Sequence, residues 1–129
     1  MKNKTSTYII VSFSLFVGLL HFLIGPDYQG VLRNFFRGYL IDILLPMNLY
    51  LLLQIALRKH LPVTKARVLG AAAPFLIGLT AEMMQFFKIS FLGSTYDLLD
   101  ILMYALGIGA GVVVDLTILD RLEERKQEV

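Results

Sequence analysis

Glu82 and Gln85 stand three residues apart in this chain, as do Asp97 and Asp100, and Tyr104 follows Asp100 by four. Residues three or four apart share one face of a helix. Helical backbone would therefore gather two carboxylates and a phenol on one face, and a carboxylate and an amide on another. Asp42 supplies a further acid, and Arg33 and Arg37 supply two cations from one loop. Such a set can accept hydrogen bonds from a polar ligand or coordinate a divalent cation through oxygen. It can also keep one carboxyl protonated, because close like charges oppose each other. Residue types alone leave open whether a metal binds. No cofactor is expected. There are no cysteines to make thiolate sites, and the two histidines, His21 and His60, are far apart in sequence. No serine–histidine pair stands at this polar end, and no His-Glu-x-x-His spacing is present. A carboxylate-based lipid hydrolase or transferase is conceivable from Glu82 and Asp100, but nothing demands it, so the reading leans away from an enzyme.

The elements that must position these residues follow from composition. Of 129 residues, 57% are hydrophobic and 17% charged, against roughly 45–50% and about 25% in soluble domains. The excess falls in four runs, 8–25, 39–57, 68–87 and 98–119, each near the roughly 20 residues that cross a bilayer as a helix. They lack the alternation of barrel strands and are too continuously apolar for a one-sided soluble helix. The expected fold is all-α: one transmembrane domain over 1–129, a bundle of four transmembrane helices in a polytopic membrane protein. Four spans use most of the chain, leaving no room for a soluble catalytic domain. Lys2 and Lys4 precede the first run as in a signal peptide, but its length and the lack of a small-x-small cleavage site favour a retained signal-anchor.

Nine Lys and Arg residues lie in the N-terminal tail, the 58–67 loop and the C-terminal tail, against three in the other two loops. The positive-inside rule then places both termini in the cytoplasm. The basic residues are read as topology signals, not a nucleic-acid footprint. On this orientation, Asp42, Glu82, Gln85, Asp97 and Asp100 converge on the extracytoplasmic ends of their spans.

Three stripes of small or polar residues should face the bundle interior: Ser14, Gly18, His21 and Gly25 on span one; Gly70, Pro74, Gly78 and Glu82 on span three; Asp97, Asp100, Tyr104, Gly107 and Gly111 on span four. Pro46 and Pro74 each free a carbonyl four residues earlier, at Asp42 and Gly70. Simpler roles are also open. Ser94 to Asp97 reads as a variant capping box opening span four. The glycines read as packing devices, and His21 as a residue hydrogen-bonded between helices. Asp115 is expected near the cytoplasmic interface without a partner, and the tail after Leu119 as a short helical extension that frays. Glu82 and Asp100 are harder to explain. A carboxylate at mid-membrane depth costs about 2.5–3.5 kcal/mol even on the lenient insertion scale, so it needs a partner or a task. The partner could be a structural network with Arg37, Gln85 and Tyr104.

The spaced pattern Glu82-x-x-Gln85, then Asp97-x-x-Asp100-x-x-x-Tyr104-x-x-Gly107-x-x-x-Gly111, resembles the VanZ-like family of small bacterial membrane proteins. Glu82, Gln85, Asp97, Asp100, Gly107 and Gly111 match that family's pattern over about residues 75–115. Ser94 stands where the family often has Arg, and Tyr104 where it often has Asn, as in an uncharacterised, Tyr-bearing branch. The resemblance implies a multi-pass protein of the bacterial cytoplasmic (inner) membrane. Combined with the polar cluster, the expected function is binding of an envelope-related or ionic ligand at Glu82, Gln85, Asp97, Asp100, Tyr104 and Asp42, with Arg37 as counter-ion. The alternatives are a small proton- or cation-coupled transporter and an accessory subunit of a membrane complex. Expected partners are the lipid bilayer and an envelope lipid or small ionic ligand, not nucleic acid, and an oligomer is open.

Overall fold

The computed structural model describes residues 3–24, 29–31, 33–35, 39–89 and 97–128. Helix α1 runs over Lys4–Ile24, α2 over Leu40–Leu57, α3 over Val63–Phe86 and α4 over Leu98–Val114. A π-helical turn, Asp115–Leu119, joins α4 to α5, Asp120–Gln127. No strand occurs among the described residues. Among the described residues, four helices are long and apolar enough to cross a membrane, with α4, the π-turn and α5 forming one 30-residue rod.

The elements differ from the apolar runs at their ends. Helix α3 begins at Val63, five residues before its run, because Pro62 occupies the N-cap position and Thr64, Lys65 and Arg67 are helical despite their polarity. Its C-terminus closes on Lys88 at φ 60°, with the Ile89 amide donating to the Met84 carbonyl at 2.8 Å and the Lys88 amide to Gln85 at 2.9 Å. That is a Schellman closure with lysine where glycine is usual. The C-terminal tail remains helical to Gln127.

The core is built on α2 and α4, whose mutual contact is the most extensive in the molecule. They lie parallel: Gly107 meets Ile43 and Pro46, and Gly111 meets Met47 and Tyr50. A Cβ on Gly107 would stand 2.1 Å from the Ile43 carbonyl oxygen, so only glycine permits this backbone approach. Small residues play this part in membrane bundles, where packing and interhelical hydrogen bonds replace hydrophobic exclusion from water. Helix α3 runs antiparallel to both. Its Gly70 leaves room for Gln54 and Tyr50, and its Gly78 for the Tyr104 ring. The small and polar stripes of α3 and α4 thus face inward.

Helix α1 packs mainly on α2, and its expected stripe does not hold. Ser6, Ile10 and Val17 are buried, and Ser14 donates to Asn48 Oδ1 across the α1–α2 interface. Gly18 and His21 are exposed, and a Cβ on Gly18 would meet nothing within 4 Å. Neither packs on or hydrogen-bonds to another helix among the described residues; Gly25 lies outside them. Asn3 ties the start of α1 to α5, donating from Nδ2 to the Leu122 carbonyl at 2.7 Å and from its amide to Glu123 Oε1 at 3.1 Å. The start of α1 and helix α5 therefore lie at one end of the bundle.

Candidate functional site

The start of α2, the end of α3 and the start of α4 meet at the other end, and they carry the acids. Glu82 is 1% exposed. Its Oε1 accepts from Tyr104 Oη at 3.2 Å and its Oε2 from the Asp97 amide at 3.2 Å. Gly78, one turn before Glu82, seats the Tyr104 ring and so aims its hydroxyl. Asp97 is the N-cap of α4, its Oδ1 accepting from the Leu99 amide at 2.9 Å. The cap is thus Asp97 itself; Ser94 of the expected capping box lies outside the described residues.

Asp42 and Asp100, both half-buried, bring two carboxyl groups together between α2 and α4. Gln85 is buried on the inward face of α3, one turn beyond Glu82. Glu82, Gln85, Asp97, Asp100, Tyr104 and Asp42 are therefore assembled at one end. Arg37 lies outside the described residues, and Arg33 is exposed and donates to Gln29 at 2.8 Å. No Lys or Arg among the described residues pairs with Glu82, Asp42, Asp97 or Asp100. Nor do any three His, Cys, Asp or Glu among them form a group able to hold a metal ion.

The opposite end solves the same problem differently, and there the expectation for Asp115 is corrected. Asp115 is fully buried and is not alone. It accepts from Tyr50 Oη at 2.7 Å, from Arg67 Nε at 3.0 Å and from Arg58 Nη2. Asp120 completes the group with Arg67 and, at 3.7 Å, Arg58. Gln54 braces it, accepting from Arg58 Nε at 3.2 Å and donating to the Ala66 carbonyl at 3.0 Å. Two cations thus meet two anions in a cluster joining α2, α3, the π-turn and α5. The spacing did carry a signal. Asp115 is the next step of four after Gly107 and Gly111, and Tyr50, Gln54 and Arg58 make a matching row on α2.

No family model, curated protein or solved structure matches this chain.

Proposed function

We propose that this chain is a multi-pass membrane protein of VanZ-like type in the bacterial cytoplasmic membrane, with both termini cytoplasmic, whose acidic end binds a polar or cationic group from the envelope side. The contrast between the two ends carries the reading. Asp115 is neutralised by two arginines, whereas Glu82, equally buried, receives among the described residues only the neutral donors Tyr104 and the Asp97 amide. Three more carboxyl groups lie beside it. A buried carboxylate left with neutral donors in an acidic neighbourhood is costly to keep, and a ligand bearing positive charge or several donors would offset that cost. Glu82 and Asp100 would be the acceptors, Tyr104 would hold Glu82 in place, and Asp97 would fix the start of α4.

The test is native mass spectrometry of the protein released from bacterial membranes in lipid nanodiscs. The wild-type protein should carry a bound species that Glu82→Gln and Asp100→Asn both lose while remaining folded and normally abundant. Unchanged occupancy in both variants would sink the proposal. The closeness of the Asp42 and Asp100 carboxyls favours one second reading, a proton-coupled transporter, because neighbouring like charges promote proton binding. Proteoliposomes would then acidify or alkalinise internally under a substrate gradient, and Asp42→Asn would abolish the movement.

A further inference from the structure

The first two turns of α3 carry a groove that takes no part in either charged cluster. It is an open depression of about 310 Å³ with apolar walls, formed along this one helix by Thr64, Lys65, Val68 and Leu69. Its membrane level follows from length. Helix α3 has 24 residues, about 36 Å at ~1.5 Å each, against a hydrocarbon thickness of about 30 Å. The surplus falls at the polar N-terminal end, where Thr64, Lys65 and Arg67 cluster. Thr64 and Lys65 then stand at headgroup level, with Val68 and Leu69 at the top of the acyl region. Lysine suits this boundary, since its aliphatic stem lies on apolar surface while its ammonium reaches the phosphates.

Charge selects the occupant. Of the cations between residues 58 and 67, Arg58 and Arg67 turn inward and are neutralised by Asp115 and Asp120. Lys59 and Lys65 are exposed and have no acidic partner among the described residues. The first turn of α3 carries no acid to offset them. An apolar groove with unneutralised lysine charge at its mouth, at headgroup level, complements a lipid whose head is negative and whose tail is aliphatic. We infer that this groove is a binding site for an anionic phospholipid, with its phosphate at Lys65 and Thr64, Lys59 adding charge from the preceding turn, and one acyl chain along Val68 and Leu69. This site is separate from the acidic end and independent of what binds there.

The test titrates delipidated full-length protein in detergent with phosphatidylglycerol and phosphatidylcholine of identical chains, read by native mass spectrometry. Each basic residue near a charged headgroup contributes about fivefold in affinity. Wild type should therefore prefer phosphatidylglycerol by at least about fivefold. Lys65→Gln should reduce that preference by about the same factor and leave phosphatidylcholine unchanged. Leu69→Trp should weaken both lipids by filling the groove, while Arg121→Gln on α5 should change neither. All three positions are exposed, so the fold should survive, and thermal melting of each variant checks this. Equal binding of the two lipids by wild type overturns the inference, as does an undiminished preference in Lys65→Gln. A preference abolished by millimolar inorganic phosphate and insensitive to Leu69→Trp also overturns it, because that pattern marks a simple anion site.

Discussion

Replacing Asp115 by Asn keeps the side chain's shape and removes its charge, leaving two guanidinium groups to face a neutral amide. The Arg58 side chain is 5% exposed and Asp115 0%, so this pair behaves as a buried one. Breaking a buried pair from one side costs about 3–5 kcal/mol, because the remaining charge loses its compensation in a poorly solvated place. The asparagine can still accept from Tyr50, so the lost neutral hydrogen bond, worth about 1 kcal/mol, is not the main term. Asp120 offers a comparison within the same cluster. It is 30% exposed and its partner Arg67 23%, and exposed pairs contribute about 0–1 kcal/mol. Unfolding by SDS in mixed micelles, followed by helicity, should therefore show Asp115→Asn less stable by roughly 3 kcal/mol or more, and Asp120→Asn by about 1 kcal/mol or less. Adding Arg58→Gln to Asp115→Asn should recover part of the loss, since it removes the stranded cation. A loss below about 1 kcal/mol for Asp115→Asn, or a double variant no better than the single, would refute the claim that this cluster closes its end of the bundle by charge compensation.

Gly107→Ala should destabilise by about 1–3 kcal/mol in the same assay, because its Cβ meets the Ile43 backbone and α2 and α4 must part. Gly109→Ala, whose Cβ would meet nothing, should be neutral or gain up to about 1 kcal/mol from helix propensity. Gly78→Ala should push the Tyr104 ring, which a Cβ would approach to 2.5 Å, off its seat. Loss of ligand at the acidic end, read by native mass spectrometry, should accompany that shift even if the protein remains folded. Lys88→Gly should leave the fold intact and raise stability by up to about 1 kcal/mol, as a left-handed residue costs L-amino acids about that much or more. An unchanged or lowered midpoint would argue against strain at Lys88.

The four helices were legible because an apolar run of about 18 residues or more is too long for a buried core segment and matches the thickness of a bilayer. Their ends were not legible in the same way. Hydropathy marks where a helix stops being apolar, whereas Pro62 and the Lys88 closure mark where α3 starts and stops being helical. Inward faces were legible on α3 and α4, where glycine, proline and acid recur at steps of three and four and every step has a neighbour to meet. The same rule failed on α1. That helix touches mainly α2, so a narrow strip through Ser6, Ile10, Ser14 and Val17 is covered, and Gly18 and His21 fall outside it. A stripe predicts burial only when another helix lies against it, and one helix's sequence does not say how many neighbours it has.

The two charged ends show where counting charges fails. Arg58 and Arg67 entered the orientation argument as cations marking a membrane face, which treats them as independent of the acids. In the fold they are bound to Asp115 and Asp120, residues 57 and 53 positions away along the chain. The two readings are compatible, since the positive-inside rule asks only where the cation is, not what it touches. The difference matters for the acidic end. The chain spends two of its arginines on one buried aspartate, while Glu82 and its neighbours draw on none among the described residues. Equal burial with unequal compensation points to different tasks. Compensation at Asp115 makes a fixed joint between α2, α3 and the π-turn. At Glu82, Asp42 and Asp100 the described residues supply no such compensation, and that difference is the ground for proposing that a ligand or a proton supplies it.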